Sequence, residues 1–140
     1  MVFCMGGEQN TVRAGSAAVV QNKEGKILLG KRSVFPIGMW VLPGGGINFG
    51  ETSKDAVVRE VREETGLLIE PIKLIKVHEL INVSNKAHRI IFFYLAKVAS
   101  GDIKPSEDIS ELRWPTPKEI MELDNLGDTV EPILHELGLV

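Results

Sequence analysis

Between Gly45 and Leu67 the chain reads GGINFGETSKDAVVREVREETGL, a glycine turn followed by a helix-forming run that carries Arg59, Glu60, Glu63 and Glu64. A helix brings residues three and four apart onto one face, so Glu60, Glu63 and Glu64 are expected to converge there, on a face read as solvent-exposed. Like charges at that spacing destabilise an isolated helix by about 0.2–0.5 kcal/mol per pair. A hard divalent cation prefers oxygen ligands and turns that repulsion into binding energy. The stretch therefore reads as a magnesium site.

The rest of the chain narrows the classes. Its 140 residues suffice for a single domain with its own core. A hydrophobic content of 44% with 25% charged residues is that of a globular protein. The net charge of −3, with no block of Lys or Arg, argues against a nucleic-acid polymer as partner. No apolar run has the length of a membrane span, and MVFCMGGEQN lacks the basic start and long apolar segment of a signal peptide. Cys4 stands alone, so no disulfide framework is expected and a reducing cytoplasm is the default compartment. It is read as an incidental thiol in a loose leader spanning residues 1–12, ahead of one domain over 13–140.

Along that domain, strand signals cover Arg13 to Gln21 and Lys26 to Arg32, with a turn at Asn22-Lys23-Glu24-Gly25 that suggests a hairpin. Ser33 to Pro43 reads as a loop, and Gly44-Gly45-Gly46 as a place for backbone angles closed to other residues. Thr52 or Ser53 can cap the acidic helix, Ala56, Val57 and Val61 supply its apolar stripe, and Gly66 its stop. Leu67 to Val83, interrupted by Pro71, suggests two strand pieces or a bent one. His88 to Val98 is the strongest strand signal. A polar loop over Gly101–Asp108, a short strand over Glu111–Trp114, and helices over Pro117–Leu123 and Asp128–Leu137 complete the chain. This order of strands and helices predicts an α/β domain, a sheet flanked by helices.

The residues Gly45, Glu51, Arg59, Glu60, Val61, Glu63, Glu64, Gly66 and Leu67 meet, without departure, the pattern Gly-x5-Glu-x7-Arg-Glu-U-x-Glu-Glu-x-Gly-U, where U is aliphatic. In this the chain resembles the Nudix hydrolases. The resemblance implies an α/β/α sandwich with a mixed β-sheet between helices. It implies that Glu60, Glu63 and Glu64 ligate a divalent metal, Mg2+ or in its place Mn2+, with the Gly45 carbonyl as a further ligand. Arg59 would orient the carboxylates by charge-assisted hydrogen bonds, and Glu51 would act behind them, paired with Arg59. The implied chemistry is metal-assisted hydrolysis of a phosphoanhydride in a nucleoside diphosphate-linked substrate. The general base is placed first among Glu60, Glu63 and Glu64, with Glu107, Glu111 and Asp108 as alternatives.

Substrate markers are thinner. The proline and tyrosine that mark ADP-ribose and dinucleoside polyphosphate subfamilies are missing from Ile81-Asn82-Val83-Ser84-Asn85-Lys86, and Ile37 stands where the coenzyme A group has an arginine. Gly38, Trp40, Leu42 to Gly45 and Phe49 to Glu51 resemble MutT-like enzymes, which implies a nucleoside triphosphate pyrophosphatase releasing monophosphate and pyrophosphate. The alternatives are an ADP-ribose or nucleotide-sugar pyrophosphatase and a non-catalytic nucleotide-binding module. Intact metal carboxylates argue against the last. Trp40, Phe35 and Phe93 are candidates for stacking a base, and Arg13, Lys31 or Arg32 for phosphate contact. Glu107 and Glu111 are further candidates around the substrate, whereas Trp114 is assigned to the core. The absence of Lys-Ser or Lys-Thr after the glycines excludes a P-loop. His78, His88 and His135 are too scattered for zinc and read as structural. The long hydrophobic strands permit a homodimer.

Overall fold

The computed structural model describes residues 10–140. Most of the leader, with Cys4, lies outside the described residues. The elements run β1 (Arg13–Gln21), β2 (Leu29–Arg32), β3 (Trp40–Val41), β4 (Gly44–Gly46), α1 (Ser53–Thr65), β5 (Leu68–Asn82), β6 (Ala87–Ser100), β7 (Ile109–Arg113), α2 (Pro117–Met121) and α3 (Val130–Glu136). They build a four-stranded sheet in the order β4-β1-β6-β5 and a three-stranded sheet in the order β3-β2-β7. The first is mixed, since β1 runs parallel to β6 and antiparallel to β4.

β1 explains the layering. Ser16 to Val20 are all buried, which requires cover on both faces of the strand. Ala18 and Val20 meet Val57 and Val61 of α1, together with Leu28, Leu67, Ile69 and Ala96. Ala17 and Val19 turn the other way, onto a cluster that includes Ile91, Phe93, Ile120 of α2 and Ile133 and Leu134 of α3. Helices thus cover opposite faces of the sheet, the α/β/α arrangement expected from the sequence.

Five local expectations change. The turn at Asn22–Gly25 forms, with the Asn22 side chain accepting from the Glu24 and Lys26 amides, but the hairpin does not continue. A single bridge joins Gln21 to Ile27, and β2 then leaves for the second sheet. Both edges of β1 are already taken by β4 and β6. The segment read as loop before the glycines contains β3, and the glycines themselves are strand β4. None of Gly44, Gly45 and Gly46 has a positive φ, whereas Gly50, in the turn that follows, has φ 84°. What Gly44 provides is closeness, because a Cβ there would lie 2.3 Å from the Ser16 carbonyl oxygen. Phe93 is fully buried in the core and offers no face to a ligand. Trp114 is only half-buried, at the border of the cluster beneath α1.

The Leu67–Val83 region is one strand with register shifts at Pro71/Lys73 and Leu74/Lys76. Pro71 cannot donate to the ladder, and the shifts bend the strand there. No helix among the described residues is long and apolar enough to cross a membrane.

Candidate functional site

The site is assembled on α1 and on the chain that leads into it. Thr52 caps the helix by accepting from the Asp55 amide at 3.0 Å. Gly66, at φ 80°, ends it and donates to the Arg62 carbonyl at 2.9 Å. Ala56, Val57 and Val61 press on the sheet and fix the rotation of the helix. That rotation decides where the polar residues point.

Arg59 is the hub. Its Nε and Nη2 grip both oxygens of Glu51 at 2.8 and 2.9 Å, a bidentate pair. Nη2 also donates to the Gly46 carbonyl at 2.8 Å, so the helix is tied to the end of β4. Nη1 reaches Glu60 at 2.7 Å and Glu63 at 3.3 Å. The Asn48 amide donates to Glu51 at 3.0 Å. These bonds hold the Glu51 carboxyl down at about 2, with Arg59 the larger cause and the Asn48 amide the second. The same pairing raises the Arg59 pKa, and so keeps it charged.

Glu64 has a different environment. It is only 5% exposed, and its Oε1 accepts the Gly44 amide at 2.7 Å. Its Oε2 is buried and has no hydrogen-bond partner among the described residues. Burial pushes this carboxyl up to about 7, against the pull of the Gly44 amide. Burial also raises Glu60, here opposed by Arg59.

Two sequence expectations need correction. The acidic face is not uniformly exposed: the Glu63 side chain is 60% exposed, the Glu60 side chain mostly covered and Glu64 interior. Nor do the carboxylates meet at a common point, since among the described residues no three His, Cys, Asp or Glu side chains form a ready cation cage. Arg59 draws Glu60 and Glu63 toward itself, while Glu64 turns to Gly44. The donor set nevertheless fits a hard cation. All its members are carboxylate or carbonyl oxygens, and a buried carboxylate oxygen without a donor is a costly arrangement that a cation would relieve.

The other candidates scatter. Gly45 pairs with Ser16 in the β4–β1 ladder. Arg32 is buried, donates to the Phe35 carbonyl at 2.5 Å, and has its pKa lowered by burial against the opposing charges of Glu64 and Asp108. It is an interior cation beside the site. Trp40, at 7% exposure, belongs to the core, with Arg113 and Lys31 over its ring at 5.0 and 5.9 Å. Little of its face remains for a base. Glu111 pairs with Arg113, and Glu107 is exposed, with its carbonyl accepting the Ser33 hydroxyl at 2.5 Å. Phe35 is exposed. His78 packs edge-on to Phe93, and His135 lies 3.6 Å from Glu131. Sequence reasoning missed the Gly44 and Asn48 amides, because a main-chain donor leaves no residue-type signal.

The Glu64 environment predicts a pH dependence. An unfolded chain releases this proton near 4.5, so between there and about 7 the fold holds a proton that the unfolded state has lost. The Glu64 contribution is fully present below pH 4.5 and declines through pH 7, by about 3 kcal/mol in all. Glu51 acts oppositely: its stabilisation is present above 4.5 and lost as pH falls toward 2. Chelator-treated protein should therefore melt higher at about pH 5.5 than at pH 8. Glu64→Gln should flatten the difference, and thermal melts of both forms check it.

A profile of the NUDIX domain family matches residues 11–137. The chain is 37% identical over 105 residues to the ADP-ribose pyrophosphatase of Methanocaldococcus jannaschii, which covers 74% of this chain and 59% of that protein. It thus spans under two thirds of that relative's length. It is 35% identical over 135 residues to the nucleoside triphosphatase NudI of an Enterobacter species, covering 87% of this chain and 94% of that one. Among solved structures, the MutT NUDIX hydrolase from Burkholderia pseudomallei superposes with a TM-score of 0.83 at 30% identity, over 91% of this chain and 98% of that chain. With its family model matched over nearly the whole chain, the chain belongs to the NUDIX domain family.

Proposed function

We propose that residues 13–140 work as one unit that hydrolyses the phosphoanhydride bond of a nucleotide with the help of Mg2+ or, in its place, Mn2+. The preferred substrate is a nucleoside triphosphate, cut to monophosphate and pyrophosphate. The observation that carries the reading is the buried Glu64 Oε2, without a hydrogen-bond partner among the described residues, on a helix whose acidic face is ordered by Arg59. A bound divalent cation would neutralise phosphate oxygens and acidify a water. Glu60, Glu63 and Glu64 would hold it, with the Gly45 carbonyl as a further ligand. Arg59 and Glu51 would keep the carboxylates from swinging away, since their bidentate pair anchors the helix to the preceding loop. One of the helix carboxylates accepts the proton of the attacking water.

The likeness to NudI over nearly its whole length favours triphosphates. The likeness to the archaeal ADP-ribose pyrophosphatase supports ADP-ribose as a second reading. A panel of standard and oxidised nucleoside triphosphates, ADP-ribose, nucleotide sugars, diadenosine polyphosphates and coenzyme A, run with excess Mg2+, separates them. Products would be identified by chromatography, with Glu63→Gln as control. Monophosphate plus pyrophosphate, lost in the control, is the expected result. Preference for ADP-ribose would keep the site chemistry and replace the substrate. Tight nucleotide binding with no turnover of any member would defeat the hydrolase reading.

A further inference from the structure

Gly44 occupies the closest approach of β4 to β1. A Cβ built there would stand 2.3 Å from the Ser16 carbonyl oxygen, 2.5 Å from Ala17 Cα and 2.7 Å from Ala17 Cβ, all rigid neighbours. A residue with a side chain would push the strand outward. This approach sets the Gly44 amide 2.7 Å from Glu64 Oε1. The main chain of Glu64 is held separately, because the Ser106 amide donates to its carbonyl at 3.2 Å and the Lys104 amide to the next carbonyl, that of Thr65, at 2.7 Å. The glutamate is thereby gripped at its backbone and at one carboxylate oxygen. Its other oxygen, Oε2, is buried without a partner among the described residues.

We infer that Gly44 is the positioning residue of Glu64: its main-chain N–H holds Oε1 and so selects Oε2 as the oxygen offered to a divalent cation. The inference rests on the metal-centre reading above and adds a device to it. An interior carboxylate on a helix could rotate either oxygen toward the site. A donor fixed by the β4–β1 ladder removes that freedom, as hydrogen bonds behind metal ligands generally do. Gly44 itself touches neither substrate nor cation in this role.

The test replaces the Gly44 amide by an ester, with glycolate introduced through chemical ligation. This deletes the N–H and adds no side chain. The control is an ester at Leu28, whose N–H donates to the Val20 carbonyl of β1 at 3.0 Å and does not touch Glu64. Mn2+ affinity would be read by electron paramagnetic resonance, and kcat and KM measured separately. The Gly44 ester is expected to bind Mn2+ about 10- to 100-fold more weakly, with kcat lowered more than KM is raised. The Leu28 ester should keep the affinity of the unmodified protein. Equal Mn2+ affinity in the Gly44 ester and the unmodified protein would overturn the inference, as would equal losses in both esters. Unmodified protein that binds no Mn2+ would instead remove the metal-centre reading, and this role with it.

Discussion

Replacement of Glu60 by Gln is expected to lower kcat/KM by about 10²–10³-fold while the fold survives. The substitution keeps the shape of the side chain and removes one negative charge from the set proposed to hold the cation. Its effect on stability should stay within about 0.5 kcal/mol, because two terms oppose each other. Burial disfavours the Glu60 charge, whereas Arg59 rewards it through a 2.7 Å bond. A Gln oxygen can still accept that bond. Glu63→Gln should behave alike for turnover and disturb stability even less, since its side chain is 60% exposed and its bond to Arg59 is the longer, at 3.3 Å. Steady-state kinetics with excess Mg2+ and a thermal melt on the same samples decide the matter. Full activity in both variants would remove these two residues from the ligand set.

Arg59→Ala is expected to have the largest effect on stability. It leaves Glu51 without its bidentate partner, Glu60 without a counter-charge and the Gly46 carbonyl without this donor. Truncating one partner of a partly covered charged network costs about 2–3 kcal/mol, less than the 3–5 of a fully buried pair. For a chain of this size that corresponds to a melting point lowered by about 6–12 °C. Turnover should fall as well, because the helix loses its tether to the end of β4. Arg59→Lys separates the two contributions. It restores a charge but not the planar fork that engages Glu51, so stability should recover further than activity. Excess Mg2+ should raise the melting point of the Ala variant more than that of the unmodified protein, since a cation can take over part of the lost counter-charge. A variant as stable as the parent would show that the Arg59 network contributes little.

Some of this was legible in residue order alone. The spacing of Ala56, Val57 and Val61 marks the buried side of α1, and Thr52 and Gly66 mark its ends, because caps and apolar stripes act over a few residues. β1 was readable at both limits for the same reason, as a run of small and apolar residues between Arg13 and Gln21. Trp40 and Phe93 were not. An aromatic in a loop or strand looks alike whether it packs inward or lies open, and only the neighbours that cover it tell the cases apart. The failed hairpin is of the same kind, since a turn signal reports that the chain reverses and not which strands hold the free edges.

Residue order by itself determined the family, the acidic helix and the pairing partners within its reach. Arg59 and Glu63 are neighbours on any helix by geometry of the backbone. Tertiary structure decided what those charges experience. Glu60, Glu63 and Glu64 are one residue type in one turn and a half of helix, yet one is exposed, one mostly covered and one interior. The rotation of α1 on the sheet produced that difference, and the close approach of Gly44 to β1 placed a main-chain donor against the innermost of the three. Desolvation and long-range packing depend on residues far apart in the chain, so no local pattern carries them.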